Sequence, residues 1–288
     1  MVERNLRYWG LIQEFLKSCA LGCRCMAMGF LLNDIYGDIE PSEVQVSSSV
    51  NSSAHLASRS LSETWRKERR KIPEVENILA RPRLIALLDR STEQYGATLI
   101  SARAGSGKTT LAADYSRKQS SVSWCTLEPS DADWDEFSQI LRSSISGKRR
   151  TPIGYDTALP SEAVIAEFVA DCFLDLGKRK SPHLIVLDNI HHLFDTGWFS
   201  DLFRQMILSL GLTARLVMLC RGKPSAPLWR LRSKQMLNVI DEDLLALTAE
   251  EATAICELKG ISAEWSASAL KLSHGRVGSF LDLLPDSD

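Results

Sequence analysis

Residues 98–110 read TLISARAGSGKTT, and this stretch limits the possible folds more than any other part of the chain. A short apolar run leads into a glycine-rich turn, and helix-forming residues follow at 111–114. Strand, tight loop and helix in this order are typical of a phosphate-binding loop, in which backbone N–H groups at a helix N-terminus surround an anion. The stretch therefore predicts an α/β fold with an anion site where the helix begins.

The loop matches the pattern G-x-x-x-x-G-K-[ST] except at its first glycine, which is Ala102 here. In this pattern the lysine, Lys108, reaches the β- and γ-phosphates of a nucleotide, and the hydroxyl of Thr109 binds Mg²⁺. An ordinary glycine-rich turn between a strand and a helix is the alternative. The residues expected to contact the nucleotide are Ala104, Gly105, Ser106, Gly107, Lys108, Thr109 and Thr110.

A second signal is the apolar run 184–187, which ends in Asp188 and Asn189. A carboxylate at the tip of a buried strand, about 80 residues after the loop, is typical of the group that holds Mg²⁺ opposite the loop threonine. Many proteins of this architecture carry a second acid where Asn189 stands. An amide is a poor proton acceptor, so we expect slow hydrolysis. His191 or His192 could position water, with a capping or surface role as the alternative.

A third signal is the apolar run 216–220, which ends in Arg221. An arginine at the end of a buried strand can sense a γ-phosphate and stabilise the charge that develops on it. A surface or capping arginine is the alternative. Lys108, Asp188, Asn189 and Arg221 are therefore the candidate catalytic residues, and Thr109 and Asp188 the candidate metal ligands.

Strand and helix patterns alternate after residue 72, which predicts a three-layer sandwich with a parallel sheet. Ligands bind at the carboxyl edge of such a sheet. The predicted strands are 97–102, 121–127, 183–190, 214–220 and 236–240, and the predicted helices between them are 108–119, 134–146, 161–177 and 198–210. Residues 248–284 show only helical patterns, opened by the capping box of Thr248 and Glu251, and predict a small helical lid.

The predicted organisation is an N-terminal extension at 1–42, a serine-rich linker with a basic segment at 43–71, an NTPase domain at 72–245 and a lid at 246–288. We expect the extension to be weakly structured and partly helical, with a helix around Leu6–Leu16. The basic run at 65–71 is expected to be a solvated helix face, with contact to nucleic acid as the alternative.

The net charge of −2 gives no global nucleic-acid footprint, and seven scattered cysteines fit a reducing cytoplasm. The apolar stretch 19–32 is too short for a membrane span.

Several segments together resemble the STAND class, the signal-transducing NTPases with numerous domains. The likeness is to the NTPase module of the large ATP-binding LuxR-type, maltose-activator-like transcription regulators. It covers about residues 72–284. It rests on the segments 81–84, 102–110, 123–127, 187–191, 220–232 and 247–252. The stretch 102–110 resembles A-P-A-G-x-G-K-T-T, which explains Ala102, and 187–191 resembles L-D-D-x-H with Asn189 in place of the second acid.

The resemblance implies an ATP/ADP-controlled switch in which ADP holds a closed monomer, and ATP together with an inducer favours self-association. It also implies adenine as the base. The chain is expected to be a truncated regulator, without the C-terminal helix-turn-helix, that acts through a protein partner or self-association. Three other functions remain open: an AAA-type oligomeric ATPase, a small-molecule phosphotransferase, and a DNA-binding factor that uses the basic run.

Overall fold

The computed structural model describes residues 64–75, 79–146, 159–174, 176–178, 181–211 and 213–285. The predicted N-terminal extension, the serine-rich part of the linker and the cysteines Cys19, Cys23 and Cys25 lie outside the described residues. None of the helices in the described part of the chain has the length and apolar content that a membrane span needs.

Five parallel strands form the sheet, and each of the five predicted strands is present. They are β1 (Ala97–Ser101), β2 (Val122–Thr126), β3 (His183–Asp188), β4 (Ala214–Cys220) and β5 (Asn238–Ile240). Their order is β2-β3-β4-β1-β5, so β4 lies between the strand that precedes the glycine loop and the strand that ends in Asp188. The register pairs Ser101 with Cys220 and Leu187 with Met218, which brings the carboxyl ends of these three strands together.

The strand β3 ends earlier than predicted, at Asp188 rather than residue 190. Asn189 has a φ of 62° and a ψ of 37°, which is left-handed backbone that cannot continue a strand. Asparagine adopts this conformation more readily than most residues. The chain then enters a 3-10 turn at Ile190–Leu193.

Helices cover both faces of the sheet, because alternate strand residues point to opposite sides. On one face, Ile100, Val186 and Val217 pack against α1 (Pro82–Tyr95) and α2 (Lys108–Arg117). On the other, Leu99, Ile185 and Leu216 pack against the helices α3 (Trp134–Ser146), α4 (Glu162–Leu174), α5 (Phe199–Leu210) and α6 (Ala226–Ser233). This is the predicted three-layer sandwich.

The helical lid follows the last strand and has its own small core around Leu247, Cys256 and Phe280. A short helix, α7 (Glu242–Leu245), precedes the lid, and its Leu245 packs into the core of the sheet. The helices of the lid are α8 (Ala249–Leu258), α9 (Glu264–Ser273) and α10 (Val277–Asp282). The predicted capping box is present: the Thr248 hydroxyl accepts from the Glu251 amide at 3.2 Å, and the Glu251 carboxylate accepts from the Thr248 amide at 3.1 Å.

The arginines of the basic segment point inward, so the expectation of a solvated helix face is wrong for them. Arg69 is buried, pairs with the fully buried Asp131 and also donates to the carbonyl of Thr126 at 2.9 Å. Arg66 forms two bonds to Glu136, at 2.6 and 2.8 Å. Arg70 donates to the carbonyl of Ser143 at 3.0 Å. The charge run in the sequence does not reveal these partners, of which Asp131 lies in the 3-10 turn before α3 and Glu136 in α3 itself.

Candidate functional site

The glycine loop has the backbone geometry that an anion cradle requires. Gly105 and Gly107 have φ values of 77° and 82°, a conformation that side-chain-bearing residues rarely adopt. Gly107 is the N-cap of α2, so the first N–H groups of this helix face the loop. Free amides at a helix N-terminus, together with the helix dipole, favour a phosphate group.

Lys108 is buried in the loop, and its ammonium group donates to the carbonyls of Ala102 and Arg103 at 2.6 and 2.7 Å. Burial lowers the pKa of Lys108, and the nearby carboxylate of Asp188 opposes this shift. The ammonium group of Lys108 therefore lies behind the phosphate cradle, close to the carboxyl end of β3, which carries Asp188.

Thr109 and Asp188 meet as the sequence predicts. The Thr109 hydroxyl donates to Oδ2 of Asp188 at 3.0 Å, although the two residues are 79 positions apart in the chain. Burial raises the pKa of Asp188 above its usual value, and the hydrogen bond from Thr109 and the charges of Lys108 and Arg221 oppose this shift only in part. A hydroxyl and a carboxylate are the hard oxygen donors that Mg²⁺ prefers, so this pair fits the metal.

Asn189 and Arg221 lie at the same edge of the sheet. Asn189 directly follows Asp188, and the left-handed backbone at this position turns the chain away from the strand. Arg221 directly follows β4 and is exposed. Its charge influences the pKa values of Lys108, Asp188 and His191, which places it within electrostatic reach of all three. The structure thus brings all the predicted site residues together.

The lid rests on the glycine loop, and sequence reasoning did not anticipate this contact. The amide of Gly278, in the first turn of α10, donates to the carbonyl of Gly105 at 2.7 Å. A methyl group at Gly278 would lie 3.1 Å from the Cα and from the carbonyl oxygen of Gly105. The side chain of Val277 lies against Gly107. The sequence gives only a small sign of this contact, which is the glycine at position 278 in the first turn of the last helix.

An ion pair links the loop to α7, the short helix that precedes the lid. Glu242, the first residue of α7, accepts one bifurcated hydrogen bond from the single Nε–H of Arg103, with both carboxylate oxygens 3.0 Å from Nε. Its Oε1 also lies 3.5 Å from the hydroxyl of Ser106. The hydrogen bond from Arg103 lowers the pKa of Glu242. Glu242, Ser106 and Arg276 line a crevice between loop and lid.

Comparison with known proteins agrees with this geometry. The model of the family described as "AAA domain" matches residues 90–227, from the end of α1 to the start of α6, and so includes the loop, Asp188 and Arg221. The chain contains an AAA-like P-loop NTPase domain. The matched range includes the positive-φ glycines Gly105 and Gly107, the buried Lys108 and both members of the Thr109–Asp188 contact.

The NTPase domain is similar to curated transcriptional regulators. The chain is 26% identical over 201 residues to the HTH-type transcriptional regulator MalT of Serratia proteamaculans, covering 69% of this chain and 22% of that protein. It is 27% identical over 188 residues to MalT of Yersinia pestis, covering 64% of this chain and 21% of that protein. The chain thus spans about a fifth of the length of these relatives.

Among solved structures, the NTPase domain is similar to the Orc1 protein of Aeropyrum pernix in complex with DNA. The two chains are 14% identical, with a TM-score of 0.48, over 73% of this chain and 59% of that one.

Proposed function

We propose that this chain binds ATP and ADP with Mg²⁺ and acts as a nucleotide-controlled switch. The observation that carries this proposal is the hydrogen bond between the lid and the phosphate-binding loop, from Gly278 to Gly105. A phosphate group that binds the amides of this loop acts on the same backbone that holds the lid. Nucleotide binding and lid position are therefore coupled, and a ligand with different affinities for two lid positions shifts the balance between them.

The nucleotide contacts in this proposal follow from the loop. The amides of residues 104–110 receive the phosphates, and Lys108 exchanges its bonds to the Ala102 and Arg103 carbonyls for bonds to the β- and γ-phosphates. Thr109 and Asp188 hold Mg²⁺, which neutralises phosphate charge when it is bound. Adenine as the base is inherited from the resemblance to the regulators.

Hydrolysis is slow in this proposal, because Asn189 stands where a second carboxylate would polarise the attacking water. An amide can orient water but does not accept its proton near neutral pH. Arg221 is the residue that stabilises charge on the γ-phosphate. A switch needs slow turnover, because each state must last long enough to be read by a partner.

The similarity to the MalT transcriptional regulators supports a regulatory function for the chain. Output through a protein partner or through self-association, in the cytoplasm, completes the proposal and is taken over from the resemblance to that class. Direct DNA contact through the basic segment is disfavoured, because Arg66 and Arg69 are committed to acidic partners within the fold. The AAA-domain match favours one second candidate, an oligomeric ATPase. Steady, rapid turnover together with ring assembly in the presence of ATP would distinguish that machine from a switch.

A binding titration tests the proposal. Fluorescent ADP and ATP are titrated against the wild type, Lys108→Ala and Lys118→Ala. Lys118 is a matched control because it follows the same helix but is exposed and forms a surface ion pair with Asp114 at 3.1 Å. Loss of the hydrogen bonds of Lys108 to phosphate is expected to weaken binding about 10- to 100-fold. Equal affinity of all three proteins, or no binding by the wild type, would overturn the proposal.

A further inference from the structure

The segment 202–240 differs from the rest of the chain because it contains seven cations and no acid. The whole chain carries 36 acidic and 34 basic residues, so a run of one sign of this length is not a property of its composition. One of the seven cations, Arg221, lies at the predicted nucleotide site. Four others lie in α6 or beside its ends, and with Trp229 they form what we call the α6 surface: Lys223, Arg230, Arg232 and Lys234.

The packing of α6 turns this surface toward solvent. Leu228 is fully buried and Leu231 packs against the same core, so one side of the helix is fixed against the fold. Because an α-helix has 3.6 residues per turn, Trp229 and Arg230 point away from that side and Arg232 lies at its margin. All four cations of the α6 surface are exposed. Their charges therefore face the solvent on one helix and its two ends.

The cations of the α6 surface have no acidic partner in the fold. None of the four forms an ion pair within the described part of the chain. The basic segment at 65–71 behaves differently, because Arg66 pairs with Glu136 and Arg69 with Asp131. Unpaired cations of one sign create a positive surface potential that attracts an external anion. The α6 surface is thus a basic patch whose charge is available to a partner.

Trp229 gives this patch an aromatic plane. Its side chain is 41% exposed, which is unusual for so large an apolar ring. The guanidinium carbon of Arg232 lies 4.8 Å from the centroid of the ring, so the two groups form a cation–π pair at the surface. Nucleobases stack on aromatic rings and on arginine guanidinium planes. A base-stacking platform therefore stands among cations that suit phosphates.

We infer that the α6 surface binds single-stranded nucleic acid. Lys223, Arg230 and Lys234 contact phosphates, and a base stacks on the pair of Trp229 and Arg232. This binding goes beyond the proposed nucleotide switch and does not depend on it. A duplex is disfavoured, because its bases stack on one another and are not free to lie on a tryptophan. An anionic membrane is disfavoured because the leucines of α6 face the core, whereas a membrane-surface helix needs an outward apolar face.

The first test neutralises the charge of the α6 surface. Fluorescence anisotropy measures the affinity for a DNA strand of about 20 nucleotides, longer than most single-strand sites, and for its duplex. The variant has glutamine at the four cation positions of the α6 surface. The matched control loses the same number of charges at exposed sites elsewhere, with glutamine in place of Arg90, Lys118, Lys259 and Lys271.

The charge variant is expected to bind the strand about 100-fold more weakly at low salt, and the control should bind like the wild type. Loss of three phosphate contacts should also reduce the slope of log affinity against log salt concentration by about 2. Anionic vesicles that contain phosphatidylserine are the comparison for a membrane partner, and the wild type should prefer the strand to the vesicles and to the duplex.

The second test addresses the stacked base. Trp229→Ala should weaken binding of the strand about 10-fold with an unchanged salt slope, and Trp229→Phe, which keeps an aromatic ring, should recover part of this loss. Thermal unfolding checks that each variant is folded. Photo-cross-linking of the wild type to a strand that contains iodouracil requires no variant, and the cross-link is expected at Trp229.

The inference is overturned if the wild type does not bind the strand, or if both charge variants weaken binding equally. It is also overturned if duplex or vesicles bind as tightly as the strand, or if the cross-link forms only at residues outside the α6 surface. Nucleotide affinity enters none of these measurements, so failure of the proposed switch function leaves this test intact.

Discussion

Arg81 and Glu251 connect the helix before the glycine loop to the first long helix of the lid. Nη2 of Arg81 donates to Oε2 of Glu251 at 2.7 Å and to the carbonyls of Leu245 and Ala246 at 2.8 and 3.0 Å. Glu251 is also the acid of the capping box that opens α8. One carboxylate therefore caps the N-terminus of α8 and also holds the lid to Arg81, at the start of α1.

Replacing Arg81 with alanine should destabilise the protein, because the Glu251 carboxylate is nearly buried and loses its main partner. Breaking such a pair lowers the free energy of unfolding by about 3 kcal/mol. Arg83 is the control: it bonds to the same carboxylate at 3.2 Å, but 41% of its side chain is exposed. Arg83→Ala should change stability by about 1 kcal/mol or less. Urea unfolding measures the free energy of unfolding of both variants. Equal decreases would show that the buried Arg81–Glu251 pair does not stabilise the protein more than the exposed Arg83–Glu251 pair.

The same pair predicts a loss of stability in acid. Burial on its own raises the pKa of Glu251, but the hydrogen bonds from Arg81, the Thr248 amide and Arg83 outweigh it and hold the pKa below its usual value. A carboxyl group whose pKa is lowered by folding stabilises the protein fully above its unfolded-state pKa. This contribution disappears as the pH falls through the lowered pKa. The stability difference between the wild type and Glu251→Gln should therefore shrink below about pH 4; a constant difference would contradict the pairing.

Replacing Asn189 with aspartate should accelerate hydrolysis. Aspartate tolerates the left-handed backbone that Asn189 adopts, so the variant changes the chemistry and keeps the turn. The new carboxylate can accept hydrogen bonds from both protons of the water, and turnover is expected to rise about 10-fold or more. Asn189→Gly keeps the backbone conformation without a side chain, and its turnover should not exceed that of the wild type. Single-turnover ATP hydrolysis measures the change; an aspartate variant as slow as the wild type would show that Asn189 does not limit the rate.

Replacing Arg69 with alanine should strongly destabilise the protein, since it leaves Asp131 buried and unpaired. The expected loss in the free energy of unfolding is about 3–5 kcal/mol. Arg66→Ala removes a partly exposed pair with Glu136 and should cost about 1 kcal/mol or less. The basic segment then behaves as part of the NTPase fold. If thermal unfolding of Arg69→Ala is the same as that of the wild type, the basic segment is a separate region and not part of the NTPase fold.

The sequence predicted the sheet and the loop well, because the residue patterns that specify them lie within short segments of the chain. Runs such as 184–187 are buried on both faces and therefore uniformly apolar, and the pattern at 102–109 requires its glycines and lysine at fixed spacing. The contacts of Gly278 with Gly105 and of Arg81 with Glu251 join segments about 170 residues apart. Neither contact leaves a local pattern, so only the folded structure reveals them.

Asn189 shows a different limit of sequence reasoning. In the sequence it reads only as a missing acid, whereas the structure shows that the position also requires left-handed backbone. The residue type therefore satisfies a conformational demand as well as a chemical one. His191 likewise has an enclosed ring nitrogen, Nδ1, which is a property of the folded turn and not of the residue sequence 190–193.

Hydrogen exchange at the start of α10 tests the central claim, that nucleotide binding and lid position are coupled, most directly. Exchange of residues 276–283 is compared without nucleotide, with Mg²⁺ and ADP, and with Mg²⁺ and a non-hydrolysable ATP analogue. Helix α9 forms no hydrogen bond with the glycine loop and serves as the internal reference. Gly278→Ala is a second variant, in which the added methyl group crowds Gly105 and is expected to displace the lid. We predict protection of residues 276–283 by ADP, faster exchange with the ATP analogue, and no response in Lys108→Ala. Identical exchange of these residues in all nucleotide states of the wild type would contradict the account.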